Sequence, residues 1–456
     1  MSDVEAMMWN VEKDPYLNST FGSITILDQT PDFERLRRRL LRMVQRISRL
    51  HQRVVPALGR LAPPEWHDDP DFDIDYHVRH VALPSPGSDR QLFDMAALFV
   101  QDPFDRTRPL WEYVVVEGLE GGRAALVQKM HHTITDGEGG IRMSEQFIDI
   151  TRDAEDIDEV EITPTPALPH ASIFDTAGET FAHSWRRSLG VVQRAASESV
   201  GVVTNPTKVI SVPSDALDLA RAAVRQVMIT DGSHSPLWSQ RSLRRHFDTI
   251  DVDFDDAYRA SKALGGSLND FFVAGTAGGA GAYHRAMGVE VETLRMAMPV
   301  STRKDKSAGG NSFVPTRELV PVDILDPTER FTAVHEVLNR TKGDRSIGFV
   351  EGMAGIANVL PTSVLVRFAR QQVETVDFTT SNVRAANFDL YIGGALILGN
   401  YPLGPLGGTA FNLTMMSYRN ELNMGLHVDR GAVTKPGLLR ECLIESFADI
   451  IAAGAG

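Results

Sequence analysis

Two apolar periods alternate along the first 150 positions. "FGSITILD" (21–28) is rich in β-branched residues and predicts a strand. "PDFERLRRRLLRMVQRISRL" (31–50) sets Phe33, Leu36, Leu40, Met43, Ile47 and Leu50 at three- and four-residue steps. That spacing predicts a helix with one apolar face, and Pro31 stands near its start. "WEYVVVEGL" (111–119) and "RAALVQKMHH" (123–132) predict a hairpin turning through "EGG". A helix is expected after "DGEGG", carrying Ile141, Phe147 and Ile148 inward.

The pattern breaks at "TRDAEDIDEVEITPTPALPH" (151–170), acidic and then Pro-rich, which predicts an exposed connection. Helical periods resume over 177–199 and 214–228. Beyond 240, helices are expected at 255–264, 266–286, 328–341 and 435–453. Strands are expected at 294–301, 376–382, 391–398, 410–418 and 422–429. The pattern predicts two α/β halves, each with a mostly antiparallel or mixed sheet, joined by a long crossover. The boundaries drawn are 1–175, a helical crossover at 176–235, and 236–456.

Composition narrows the function classes. The 456 residues are 43% hydrophobic and 23% charged, ordinary for a globular protein. A formal net charge of −14 argues against nucleic acid as a partner. The single cysteine, Cys442, excludes disulfides within the chain and a Cys-rich metal site. It lies on the apolar stripe of the last helix and is expected in the core. "MSDVEAMMWNVEKD" is acidic where a secretory signal is basic. The most apolar stretch (391–408) is interrupted by Pro402, Pro405 and glycines, so it does not offer the roughly 20 apolar residues of a spanning helix. A cytoplasmic protein without a membrane span is expected, with peripheral lipid contact left open. The sequence carries no signal for oligomeric state.

"KMHHTITDGEGG" (129–140) holds the candidate chemistry. In a strand, His131 and His132 would point to opposite faces and would not share a metal. There is no HExxH, and no metal is expected. One imidazole suffices for general-base chemistry on a hydroxyl. Asp136 would turn back onto an Arg or a backbone N–H and fix the loop, and Gly137 would allow a backbone closed to other residues. The competing reading is a plain turn, "TDG", with incidental histidines. No G-x-S-x-G elbow or phosphate-binding lysine loop is present. "GTAGGAG" (275–281) sits inside a helical stretch, where close helix packing explains it better than a dinucleotide site.

Several ordered motifs together resemble a known family. HHxxxDG at 131–137 is similar to the motif of acyltransferases with the chloramphenicol-acetyltransferase-like fold, which include peptide-synthetase condensation domains. More narrowly, the chain resembles the bacterial wax ester synthase/diacylglycerol acyltransferase family. The resemblance rests on "PLWE" upstream of the histidines, "SLNDFFVAG" (267–275), "MPVSTR" (298–303), "GGN" (309–311) and "SYRNELNMGLHVDR" (417–430). It departs at "SNVRAANFD" (381–389), where Arg384 and Ala385 replace the family's Pro-Gly turn.

The resemblance implies two sandwich domains with a channel between them. It implies transfer of a long-chain acyl group from acyl-CoA, as a substrate and with no cofactor, to diacylglycerol or a long-chain alcohol. His132 would be the base; His131, Asp136 and Gly137 would support it. Asn269 and Asp270 would face the channel at a helix start, unless they simply cap that helix. Ser381 and Asn382 would help place the donor or simply end a strand, and Arg303 would meet phosphate, Asp136 or a surface carboxylate. Two alternatives stand beside this: another hydroxyl acceptor, such as a polyketide-type diol or a carrier-bound substrate, and a non-catalytic lipid-binding relative. Arg35, Arg38, Arg42, Arg46, Arg49 and Arg53 form a stripe that would meet anionic lipid or coenzyme phosphates, or only solvate the helix.

Overall fold

Alternating stretches and helices assemble into two mixed sheets and a small two-stranded one in the computed structural model, which describes residues 1–56, 63–158, 232–301, 313–342 and 362–455. In the first half the chain runs α1 (Asp3–Val11), β1 (Thr20–Leu27), α2 (Phe33–Arg46), β2 (Gln52–Val55), β3 (Glu65–Asp68) and α3 (Ile74–His77). It continues with β4 (Val78–Ala82), α4 (Asp89–Gln101), β5 (Trp111–Glu117), β6 (Ala124–His131), α5 (Gly137–Ser144) and β7 (Ile148–Asp149). The second half runs β8 (Arg245–Asp253), α6 (Phe254–Ala263), α7 (Leu268–Ala286), β9 (Thr293–Ser301), β10 (Phe313–Pro321), α8 (Pro327–Lys342) and α9 (Thr362–Val373). Then come β11 (Phe378–Arg384), β12 (Tyr391–Ile392), β13 (Ala395–Leu403), β14 (Phe411–Tyr418), β15 (Glu421–Asp429) and α10 (Pro436–Ala455). The helices predicted at 177–199 and 214–228, and most of the crossover drawn at 176–235, lie outside the described residues.

The first sheet has seven strands, ordered β4-β5-β6-β1-β13-β12-β7, and the second has six, ordered β10-β9-β11-β14-β15-β8. The boundary drawn at 236 is therefore crossed. Strands β12 and β13 come from the second half, yet β13 pairs antiparallel with β1 from Gly22↔Leu403 to Leu27↔Ile397. An uncapped β1 would leave a row of backbone donors and acceptors open. The apolar run of β13 covers that edge and ties the two halves together.

Each face of the first sheet buries a helix. Leu36, Leu40, Met43 and Val44 of α2 pack with Trp111, Tyr113, Leu126 and Met130 on one side. Leu92, Ala96 and Val100 of α4 pack with Ile24, Val114 and Val127 on the other. In the second half, α7 crosses α10 so closely that a Cβ on Gly279 would stand 2.7 Å from the Leu443 Cα, and one on Gly275 2.2 Å from the Phe447 ring. The glycine-rich run is a packing surface, as its helical context predicts. Cys442 is buried on α10, and burial pushes its thiol pKa up.

One helix begins earlier than its pattern suggests. Asp136 caps α5, its carboxylate accepting the Gly139 N–H at 2.8 Å, so the "GEGG" glycines are inside the helix. The helix ends at Ser144, which leaves Phe147, fully buried, in the following turn and Ile148 on β7.

The arginine stripe is largely occupied by the chain itself. Arg35 and Arg39 reach Asp149 at 3.0 and 2.8 Å, and Arg38 pairs with Asp156. Arg46 donates to Gln146 at 2.8 Å and Arg49 to Glu5 at 2.6 Å. The stripe grips residues 149–156 and the N-terminal helix, where the sequence left open anionic lipid, coenzyme phosphates or a solvated face.

Candidate functional site

Strand alternation separates the adjacent histidines. Within β6, Leu126 and Met130 join the α2 side of the sheet, whereas Ala125 and Val127 join the α4 side. His131 follows the α4 side and is buried, with Trp9 and Phe104 edge-on to its ring. Its Nδ1 accepts the Thr133 N–H at 3.0 Å, and its Nε2 lies 2.7 Å from Glu12 Oε1. Glu12 also accepts the Ser19 N–H at 2.6 Å and Arg106 Nη2 at 3.0 Å. Burial pushes the Glu12 pKa up, but His131, the Ser19 amide and Arg106 outweigh it and hold the carboxyl below its ordinary range. Both His131 nitrogens are committed. This imidazole is a pin.

His132 lies one step past the ladder, its N–H donating to Ser19 O at 3.1 Å. Its half-buried ring meets Phe21 with centroids 4.7 Å apart, on the α2 side of the sheet. Phe21 also approaches α5, 3.7 Å from where a Gly140 Cβ would stand. Across from the start of α5 runs β11 of the second sheet, with Val383 Cγ2 3.6 Å from a Cβ built on Gly137. Phe21 thus lies against both the His132 ring and α5, and β11 approaches the first residue of that helix.

Along β11, Ser381 shares a strand face with Val383, whereas the exposed Asn382 points the other way. Strand β9 accompanies β11 only through Phe378 and Thr379, and β14 through its whole length. Asp270, expected to face a channel or to cap its helix, is fully buried. Its carboxylate accepts the Ser267 N–H at 2.7 Å, closes a capping box on α7 and meets His335 Nδ1 at 3.1 Å. Asn269 is half-buried, its amide 3.8 Å from Met298 Sδ on β9. Arg303 and the "GGN" turn lie outside the described residues.

Asp136 braces the loop through a backbone N–H, one of its two expected partners. Gly137 needs another explanation, because its φ lies outside the left-handed region and a Cβ there makes only ordinary contact with Val383. The obligatory glycine is Gly139, where a Cβ would meet Thr135 Oγ1 at 1.9 Å. Spacing also missed Glu12, Arg106, Arg49 and Glu5, all far from the motif in sequence. Trp111, present in the quoted "PLWE", earns a role: its Nε1 donates to Leu50 O at 2.8 Å and its ring stacks on His77.

A cavity of about 380 Å³ opens on the His131 side, lined among others by Trp9, Glu12, Phe104, Arg106, Arg245 and His427. Burial first and Arg245 second push the His427 pKa down to about 3, so that ring is neutral. The cavity touches the pinned histidine, and His132 is not among its walls. Position alone therefore does not make it the reaction site. Among the described residues, no group of three or more His, Cys, Asp or Glu is arranged to hold a metal ion. No helix among them is long and apolar enough to cross a membrane.

The two glycines make a direct comparison. Gly139→Ala is expected to displace the Asp136 cap, lower the thermal midpoint and cut activity at least tenfold. Gly137→Ala is expected to keep the fold. Equal midpoints and equal rates for the two variants would contradict this placement of the steric limit.

Comparison with known proteins agrees with the geometry. The chain matches the wax ester synthase/diacylglycerol acyltransferase catalytic domain over residues 1–272 and that family's C-terminal domain over residues 310–451. A putative diacylglycerol O-acyltransferase of Mycobacterium tuberculosis is 34% identical, with 100% of this chain and 92% of the relative covered. A probable diacylglycerol O-acyltransferase of the same organism is 27% identical over 96% of this chain and 92% of its own. The wax ester synthase/diacylglycerol acyltransferase of Marinobacter aquaeolei VT8 shares the fold at TM-score 0.62 and 19% identity, with 96% of each chain covered. The first condensation domain of the calcium-dependent antibiotic synthetase shares it at TM-score 0.62 and 16% identity, over 99% of this chain and 96% of that one. Two mixed sheets meeting beside an HHxxxDG loop, with both domain matches in order along the chain, place this protein in the wax ester synthase/diacylglycerol acyltransferase family.

Proposed function

We propose that this chain is an O-acyltransferase that moves a long-chain fatty acyl group from acyl-CoA to diacylglycerol or a long-chain alcohol, with His132 as general base. The observation that carries the reading is the division of labour between the histidines. His131 is buried with polar groups at both nitrogens, whereas the half-buried ring of His132 lies on the other side of the sheet against Phe21, which also approaches α5. The relatives' names supply the substrate class, and the HHxxxDG motif supports His132 as the base.

The reaction then needs one imidazole. His132 takes the hydroxyl proton as the alcohol oxygen attacks the thioester carbonyl. The tetrahedral oxyanion collapses, the C–S bond breaks, and the imidazolium returns the proton to the thiolate of coenzyme A. An ester and free coenzyme A result. Both substrates must be present together, because no residue carries the acyl group between steps. Asp136 holds the loop and transfers no proton. Ser381, which shares its strand face with Val383, is the β11 residue better placed to meet the donor.

Such substrates reside in membranes or lipid droplets, and we extend the proposal to reversible contact with an anionic lipid surface. Each arginine near such a surface contributes about 1 kcal/mol, similar to the 0–1 kcal/mol of an exposed ion pair. Arginines that already hold carboxylates therefore gain little by exchanging partners. Arg42, and Arg46 with its neutral Gln146 partner, are the members of the stripe best placed to act.

Labelled palmitoyl-CoA offered with hexadecanol, a diacylglycerol and short alcohols tests the chemistry. Transfer to the lipid acceptors is expected, with His132→Ala lowering it about a hundredfold or more and His131→Ala retaining a measurable fraction. Complete, equal losses in two folded variants would refute the division of labour. Co-sedimentation with anionic vesicles should weaken as salt rises, and further in the Arg42→Gln/Arg46→Gln double variant. Indistinguishable binding by that variant and wild type would remove the stripe from the account.

A further inference from the structure

We propose that Arg49 is a positioning residue for the reaction: its guanidinium holds the backbone that aims His132, and Glu5 on α1 holds the guanidinium. The inference rests on the reading of His132 as general base. Arg49 lies in the single 3-10 turn Ser48–Leu50 that follows α2. Its Nη1 stands 2.8 Å from Thr133 O, 3.4 Å from Ile134 O and 2.6 Å from Glu5 Oε1. The guanidinium carbon lies over the Trp66 ring, 5.2 Å from its centroid. Glu5 is buried, and its other oxygen accepts the Ser2 N–H at 2.9 Å, within the capping box that starts α1.

The need for this contact follows from where the ladder ends. The backbone pairing of β6 with β1 finishes as His132 N–H reaches Ser19 O, and Thr133 N–H turns to the His131 ring. Thr133 and Ile134 are buried, so their carbonyls must find donors within the protein. Arg49 supplies one from the α2 side. His131, held by Glu12, anchors Thr133 from the α4 side. His132 precedes in sequence the two residues, Thr133 and Ile134, that these anchors hold. All three acceptors gather on Nη1, and a lysine would keep a cation there but lose the guanidinium carbon over the Trp66 indole. Displacement of a reacting group by about 1 Å can cost roughly a hundredfold in rate.

The test uses the full chain with palmitoyl-CoA and a diacylglycerol, and compares Arg49→Lys, Glu5→Gln, the double variant Glu5→Gln/Arg49→Gln, and His132→Ala. The double variant removes the buried charge together with its partner, so that neither is stranded. The expected result is a kcat lower by about 10- to 100-fold in Arg49→Lys and in the double variant, with KM for both substrates changed less than about threefold. Glu5→Gln should fall between these and wild type. If Arg49→Lys or the double variant loses thermal stability yet keeps wild-type kcat at temperatures where it is folded, Arg49 serves the fold alone and the proposal is overturned. If KM rises while kcat holds, Arg49 acts on binding, and the proposal is again overturned. If His132→Ala itself retains wild-type kcat, the reading of His132 fails, an outcome separable from the other two.

Discussion

The site depends on the two-residue repeat of a β-strand. Neighbouring side chains on β6 go to opposite faces of the sheet, so a pair of adjacent histidines is forced into two environments. One environment is the α4 side, where a buried imidazole must satisfy both nitrogens or be costly to bury. Glu12 and the Thr133 amide meet that demand. The other is the α2 side, where the sheet ends and α5 begins. A one-residue slip of β6 against β1 would exchange the two roles, and the seven-stranded register, extended by β13, resists it.

The same register builds the seam. β13 leaves the second half and completes the first sheet, so the halves are joined by backbone hydrogen bonds and not only by surface contact. That junction accompanies the approach of Val383 on β11 to Gly137 at the start of α5. Gly137 stands at this approach, but a Cβ there would make only ordinary contact with Val383. Gly139 does separate work, giving Thr135 and the Asp136 cap their room.

Much of this was legible in the sequence, for identifiable reasons. Helix α2, the β5–β6 hairpin and the packing role of "GTAGGAG" follow from periodicity and glycine placement, which are local. The opposite-face argument for His131 and His132 is local too. What periodicity could not reach are partners brought together by the fold: Glu12 for His131, Arg49 and Glu5 for the loop, and β13 for β1. Asp270 went the way of the simpler rule, since an acidic residue three positions after a serine closes a capping box before it does anything else. The arginine stripe has the spacing of a lipid-facing surface, but Asp149, Asp156 and Glu5 claim much of it.

The account stands on a base that acts while donor and acceptor are both bound, with no acyl group ever resting on the protein. Initial-velocity measurements with palmitoyl-CoA and a diacylglycerol varied against each other test that claim most directly. Intersecting double-reciprocal lines, with no burst of free coenzyme A when the acceptor is withheld, are the predicted result. Parallel lines, accompanied by coenzyme A release without acceptor, would reveal an acylated residue and contradict it.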